Sequence, residues 1–210
     1  PGDNAPRIVA IETGRALADS FRQTSTVAND LLEGTLKQTK QDITAVNVLA
    51  GELVKINAAL MSSGKSGNAN NAMLDSRDRI IDEISKFVEI TTDLDSRGAA
   101  TLRIGNSGNG PVFVSNESTS PISVNETFDG IQYSLTGNGK EAPTSQINNG
   151  ALKGYLDAFS LVKKTITDID QMAFSFTQQV NEQHRQGLDL NSEKGKNLFG
   201  STGFSITQSP

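Results

Sequence analysis

A mainly α fold with a β insertion is predicted for this chain: a long antiparallel helical bundle carrying a small antiparallel β subdomain, an α+β arrangement. Three observations carry that expectation. Apolar residues recur at steps of three and four through two long stretches free of proline, Ile8 to Met61 and Leu152 to Gln183. Between them, from Val88 onward, the period falls to two and Gly/Asn/Ser turn clusters follow one another. The composition, 35% hydrophobic and 5% aromatic with no Trp, is lean for a deep apolar pocket and suits helices with narrow buried seams.

In the first stretch Ile43, Val46, Ala50, Leu53, Asn57 and Leu60 form the seam of a helix packed against others, the one Asn costing stability and fixing register. Leu17, Phe21, Ala28, Leu32 and Leu36 continue a looser stripe. Gly34 weakens the helix by about 1 kcal/mol, so the stretch reads as one long helix or as two nearly collinear ones with a bend or break near Gly34. Ser62 to Asn71 is loop chemistry, with Asn70 or Asn71 as the cap of the next helix. Leu74, Ile80, Ile81, Ile84, Phe87 and Val88 give a short helix whose charged face pairs Asp75 with Arg79 and Arg79 with Glu83 at a spacing of four.

The alternating residues Val88, Ile90, Thr92 and Leu94 then predict a strand that turns at Asp95-Ser96-Arg97-Gly98 and returns over Thr101 to Ile104. Val112 to Val114, Ile122 to Val124 and Ile131 to Leu135 are further strands, separated by turns such as Asn106 to Gly110 and Gly137 to Gly139. Ile147 to Gly150 leads into the strongest signal in the chain. Leu152, Tyr155, Phe159, Val162, Ile166, Ile169, Ala173, Phe176, Val180 and Gln183 predict a helix of about 35 residues, roughly 50 Å long, with Gly154 as its one breaker. Gly187-Leu188-Asp189 ends it. The expected organisation is a discontinuous helical domain over 1–88 and 146–190, a β-rich inserted subdomain over 89–145, and a tail over 191–210. In that tail, which can open a further domain, Leu198, Phe199, Phe204 and Ile206 are docking points or the start of another strand.

The residues exclude much chemistry. With 19 Lys+Arg against 24 Asp+Glu and no basic block, a net charge of -5 offers no footprint for nucleic acid. Without cysteine there are no disulfides, thiolate metal sites or cysteine nucleophiles. No stretch approaches the roughly 20 apolar residues of a membrane span, so membrane insertion is not expected; the chain starts at Pro1 and reads as a fragment, so the lack of a signal peptide says little about the parent protein. Gly64-Lys65-Ser66 lacks the first glycine of a phosphate-binding loop, because position 59 is Ala59 inside a helix, and it reads as a solvent loop. His184, the single histidine, has too few partner ligands for a catalytic zinc and reads as a capping or surface residue. Asp75, Asp78, Asp82 and Glu83 form a solvated helix face, and no G-x-S-x-G supports a hydrolase. The sequons at Asn116 and Asn125 would mark surface turns in a eukaryotic secretory protein and carry no such meaning in a bacterial one. The expectation is a protein that is not an enzyme, with no catalytic residue, no cofactor and no metal, whose long helices hold surfaces at defined distances.

Three segments, in order, resemble the flagellar hook-associated protein 1 family, the first junction protein between hook and filament. Asn71-Ala72-Met73-Leu74-Asp75-Ser76-Arg77-Asp78, running into Ile81-Asp82-Glu83-Ile84-Ser85, is similar to that family's N-D-L-L-D-x-R-D-x-L-x-x-E-L-S segment. Gly150-Ala151-Leu152-Lys153-Gly154-Tyr155-Leu156-Asp157 is similar to its G-x-L-x-G-L-L-x-x-R element, with Phe159 near the place of the usual Arg. Asn181-Glu182-Gln183-His184-Arg185-Gln186-Gly187-Leu188-Asp189 is similar to its N-x-x-H-x-x-G-x-D helix end, followed by Asn197-Leu198-Phe199. The motif positions are therefore Leu74, Asp75, Arg77, Asp78, Gly150, Leu152, Gly154, Asn181, His184, Gly187 and Asp189.

The resemblance implies a structural, secreted component of the bacterial flagellum joining hook to filament. It implies self-association in a ring at the hook tip, contacts with hook protein and the second junction protein, and an export chaperone. The family's heptad-rich N-terminal segment and pairing C-terminal helix are not matched, so a core fragment lacking the polymerisation helices, monomeric by itself, is expected. The other reading is a different secreted axial or filament-type helical protein or an adhesin stalk.

Overall fold

A computed structural model describes residues 5–62, 68–188 and 192–200. Helix α1 spans Ala5–Ser62 and α2 spans Asn68–Phe87. Strands β1 (Ile90–Leu94), β2 (Ala100–Ile104) and β3 (Val112–Val114) make one antiparallel sheet in the order β1-β2-β3. Strands β4 (Ile122–Thr127), β5 (Gly130–Gly137) and β6 (Lys140–Thr144) make a second in the order β4-β5-β6, and α3 spans Ala151–Gln186. The arrangement is α+β, as the periodicities predict, with the β segment divided between two small sheets.

Helix α1 runs without interruption through Gly34, where an added Cβ would meet nothing within 4 Å. The expected break there is absent, because a long helix absorbs one glycine's cost of about 1 kcal/mol. The seam read from the sequence is buried from Ile43 through Val46, Ala50, Leu53 and Asn57 to Leu60. It extends towards the N-terminus at multiples of seven residues from Val46, through Thr39, the half-buried Leu32, Ser25 and Ala18. Ser25 and Thr39 are polar and invisible to an apolar count. The Thr39 hydroxyl donates to Thr35 O at 2.8 Å, and Asn29 Nδ2 donates to Ser25 O at 2.9 Å.

Helix α2 begins at Asn68, so Asn70 and Asn71 lie inside it rather than capping it. On its charged face Glu83 pairs with Lys86 at 2.6 Å, and Arg77 with its neighbour Asp78, in place of the expected Asp75–Arg79 and Arg79–Glu83 pairs. Strand β6, Lys-Glu-Ala-Pro-Thr, escaped the sequence reading because it carries no apolar alternation. It is an edge strand, where Pro143, opposite Ser134, costs no ladder hydrogen bond. The β5–β6 turn is Asn138-Gly139 with φ of 50° and 73°, the pair of positive angles that a two-residue hairpin favours.

The chain divides into two compact units, Pro1–Leu32 with Leu161–Pro210 and Glu33–Ser160, so the division crosses α1 and α3 rather than separating helix from sheet. The second unit holds both sheets and every one of the largest fully buried side chains, among them Tyr133, Phe113, Phe159, Leu53, Ile84, Leu102 and Leu152. Among the described residues of the first unit, the buried ones are Ala18, Ser25, Ile166, Ala173, Thr177 and Asn181, mostly small or polar. Burial stabilises by about 25 cal/mol per Å² of apolar surface, so the first unit gains less from its own packing. Backbone amides of α1 between Ile8 and Asp30 are therefore expected to exchange with solvent faster than those between Ile43 and Leu60, measured by hydrogen exchange in one sample.

Candidate assembly surface

Three asparagines on the long helices share one geometry. A primary amide carries a donor and an acceptor spaced like those of a peptide unit, so it can close a pair of hydrogen bonds with the N–H and C=O of a single residue. Asn47 Nδ2 donates to Ile122 O at 2.8 Å and its Oδ1 accepts from Ile122 N at 2.9 Å, holding the first residue of β4. Asn57 does the same for the first residue of β2, donating to Ala100 O at 2.8 Å and accepting from Ala100 N at 2.8 Å. Asn181 on α3 donates to Phe199 O at 3.0 Å and accepts from Phe199 N at 2.9 Å. The amides of Asn47 and Asn57 stand where a further strand would pair, whereas Asn181 holds a segment outside any sheet. Asn57 occupies such a place because β3 pairs with β2 only as far as Leu102 opposite Val114.

The first motif segment fastens α2 to the β1–β2 turn. Arg77 is buried, and its Nη1 donates to Gly98 O at 2.6 Å while Nε and Nη2 reach Asp78 Oδ1. Leu74 packs where a Cβ on Gly98, at φ +86°, would come within 2.7 Å of its Cδ2. Asp75 and Asp78 remain exposed. In the same turn Asp95 accepts from Arg97 N at 2.8 Å and Ala99 N at 2.9 Å, and these bonds, the one from Arg97 foremost, hold its carboxyl below the usual carboxylate value. Arg97 Nη1 donates to Met61 O at 2.6 Å, a cation on one of the last carbonyls of α1. Replacing Arg97 by Ala is expected to lower stability by about 1 kcal/mol in urea unfolding, with the turn itself intact.

The second motif segment starts α3. Gly150, at φ +85°, approaches Phe87 so closely that a Cβ would stand 2.6 Å from Phe87 O. Leu152 is fully buried, and its carbonyl accepts from the Tyr133 hydroxyl at 2.7 Å. Gly154 is exposed with open space around it. Burial pushes the Tyr133 phenol well above its ordinary value of 10.0, so the unfolded chain ionises this group first as pH rises. Stability is thus expected to fall as pH climbs above about 10, and more steeply than in a Tyr133→Phe variant, measured by denaturant titration across that range. Beside it Tyr155 donates to Asp42 Oδ2 at 2.8 Å, tying α3 to α1, and its phenol is raised first by burial and then by that carboxylate.

The third motif segment folds residues 192–200 back along α3. Beyond Asn181, the His184 ring bonds through Nδ1 to Lys196 O, Gly187 N donates to His184 O at 3.2 Å, and Gly195 N to Gly187 O at 3.0 Å. A Cβ on Gly195 would lie 2.0 Å from His184 O, so the return passes at a distance that only glycine allows. Phe199 then stacks at 5.8 Å and 60° on Phe176 and touches Gly14 and the Leu17–Phe21 side of α1. Phe199 is a docking point, as expected of the tail, whereas Leu198 remains exposed. Asp189, Gly64 to Ser66, Phe204 and Ile206 lie outside the described residues. His184 is exposed and structural in its contacts, and among the described residues no group of His, Asp and Glu is placed to hold a metal ion.

The sequence reading missed Asn47, whose partner lies 75 residues away, and the pairings of Asn57 and Asn181, since no periodicity reports such a contact. It also placed Phe176 and Gln183 in the α3 seam. Both are exposed, and the buried positions have moved to Thr177 and Asn181, as a straight helix drifts about 20° per heptad. The 18-residue stretch of α1 with mean hydropathy 1.4 is long and apolar enough to cross a membrane by composition, one third of it buried within the chain.

Residues 1–199 match the family described as Flagellar hook-associated protein FlgK helical domain. Flagellar hook-associated protein 1 of Bacillus subtilis (strain 168) is 22% identical over 229 residues, which cover 96% of this chain and 45% of that protein. The protein of the same name from Salmonella typhimurium is 25% identical over 206 residues, covering 94% of this chain and 37% of its own length. That of Escherichia coli (strain K12) is 24% identical over 207 residues, with the same two coverages of 94% and 37%. The chain thus spans less than half the length of these relatives. Among solved structures, the flagellar hook junction protein FlgK from Burkholderia pseudomallei superposes with a TM-score of 0.76 at 19% identity, over 93% of this chain and 36% of that one, a likeness of fold.

Proposed function

This chain belongs to the FlgK family of flagellar hook-associated proteins, and we propose that it is a structural segment of the joint between the flagellar hook and the filament. The observation that carries this reading is what the helices of the first unit leave uncovered. Ile8, Val9 and Val27 on α1 are 59%, 63% and 60% exposed, and Leu161, Met172 and Phe174 on α3 are 66%, 59% and 55% exposed. A protein that works alone rarely leaves so many large apolar side chains in water, whereas a subunit that polymerises covers them with its neighbours. The motif residues Arg77, Gly150, Asn181 and the exposed His184 act through contacts within the chain, by holding the β1–β2 turn, the start of α3 and the returned segment in place.

On this reading the chain works in the extracellular flagellum after secretion, self-associates in a ring at the hook tip, and contacts hook protein, the second junction protein and, before export, a chaperone. It performs no catalysis and needs no cofactor. A chain without cysteine can pass a narrow channel unfolded and refold outside with no disulfide to form. Deleting the gene in the source bacterium is expected to leave hooks without filaments and to shed flagellin into the medium; normal filaments would contradict the reading. The isolated chain is expected to be monomeric at micromolar concentration in light scattering, its contacts being weak one at a time.

A further inference from the structure

The two-residue loop of the β4–β5 hairpin, Phe128-Asp129 between Thr127 and Gly130, carries the most exposed large apolar side chain in the described residues, Phe128 at 88%. Glu126 and Asp129 flank it, and neither makes an ion pair among the described residues. An aromatic at the tip of a hairpin gains nothing from its own fold, and a ring left wholly in water forgoes about 2 kcal/mol of burial.

The first unit holds the complementary shape. Ile11, Phe176, Val180, Leu188 and Leu198 line an open apolar groove of about 750 Å³ between the start of α1, the end of α3 and the returned segment. Arg7 stands in its lining, likewise without an ion pair among the described residues, and Lys194 and Lys196 flank Gly195 beside it. A ring with acidic neighbours thus matches an apolar groove with basic ones.

Resting on the junction reading above, we propose that the Phe128 hairpin tip of one copy seats in this groove of a second copy, with Glu126 and Asp129 meeting Arg7. Tip and groove are different surfaces of the chain, so the contact is head-to-tail and each copy keeps one of each to offer the next. Such a contact closes into a ring or continues as a helix, the two forms an axial assembly takes.

Because the chain has no cysteine, the contact can be trapped by one introduced pair. A chain carrying Thr127→Cys, which keeps the Phe128 ring, is mixed at high concentration with a chain carrying Leu188→Cys and oxidised. A disulfide joining the two different chains, identified by mass spectrometry, is expected at about tenfold the yield of Thr127→Cys mixed with Lys164→Cys, whose cysteine lies on an exposed part of α3 outside the groove. Arg7→Glu in the groove-bearing chain is expected to lower the yield about fivefold, and Asp129→Arg in the tip-bearing chain to restore it. Equal yields from the Leu188 and Lys164 partners, or a yield indifferent to the charge reversal, would overturn the contact. The deletion phenotype is independent of this result: hooks without filaments and no cross-link would leave the junction reading standing without this interface, and a cross-link with normal filaments would do the reverse.

Discussion

Replacing Asn57 by Leu is expected to destabilise the chain by about 3 kcal/mol in urea or thermal unfolding, although it places a leucine at a buried position of an apolar seam. If seam hydrophobicity decided the matter, Leu would stabilise by about 2 kcal/mol. The deciding quantity is what Asn57 leaves behind. Ala100 is fully buried, and both its N–H and its C=O take their bonds from the Asn57 amide at 2.8 Å. Removing the amide strands a donor and an acceptor, each costing about 1–3 kcal/mol, and no water can replace it without opening the packing. Asn57→Asp sharpens the test, since it keeps the shape and the acceptor but brings a carboxylate into a site with no access to solvent. Burial raises the folded-state pKa of that Asp above its unfolded value near 3.9, so the variant is expected to be most stable below about pH 4 and to lose stability as pH rises through the folded value. A Leu variant as stable as the parent would show that the clasp contributes nothing.

Gly150→Ala is expected to cost more than about 3 kcal/mol, from two causes that add. The residue sits at φ +85°, where a side chain costs roughly 1 kcal/mol or more. The new Cβ would also lie 2.6 Å from Phe87 O and 2.8 Å from Val88 N, which are backbone atoms and cannot swing aside. Relief requires the start of α3 to move away from the end of α2, taking with it Leu152 and the carbonyl that receives the Tyr133 hydroxyl. Gly154, one turn on in the same motif, is the control. It lies inside the helix with nothing within 4 Å of an added Cβ, so Gly154→Ala is expected to stabilise by about 0.5–1 kcal/mol. Denaturant midpoints that move in opposite directions for the two substitutions are the expected result, and equal shifts would contradict the geometry.

Where regular packing decides burial, the sequence was legible: Ile43 through Leu60 on α1 and Leu152, Phe159, Ile166 and Ala173 on α3 are buried as their spacing predicts. It was opaque where polar groups do the joining. The three asparagine clasps link residues 75, 43 and 18 positions apart, and nothing in either partner's neighbourhood marks it as a partner. Ser25 and Thr39 hold seam positions because a small hydroxyl can bond within its own helix and still fit a narrow contact. Strand β6 is written in polar residues because an edge needs only one paired side. The motif positions were found through a resemblance, and their physical reasons came only with the fold: Arg77 holds a turn, Gly150 allows a close approach, and Asn181 with His184 holds the returned segment. The sparse packing of the first unit was hidden in the same way, since Phe174 and Met172 count as apolar in a sequence whether or not anything covers them.

The most direct measurement of the structural role is where the protein sits on the flagellum. Gold-labelled antibody raised against the β4–β6 sheet, viewed by electron microscopy on intact flagella, is expected to mark a single narrow band at the boundary between hook and filament. Label spread along the filament, gathered at its far tip or absent from the flagellum would contradict the account.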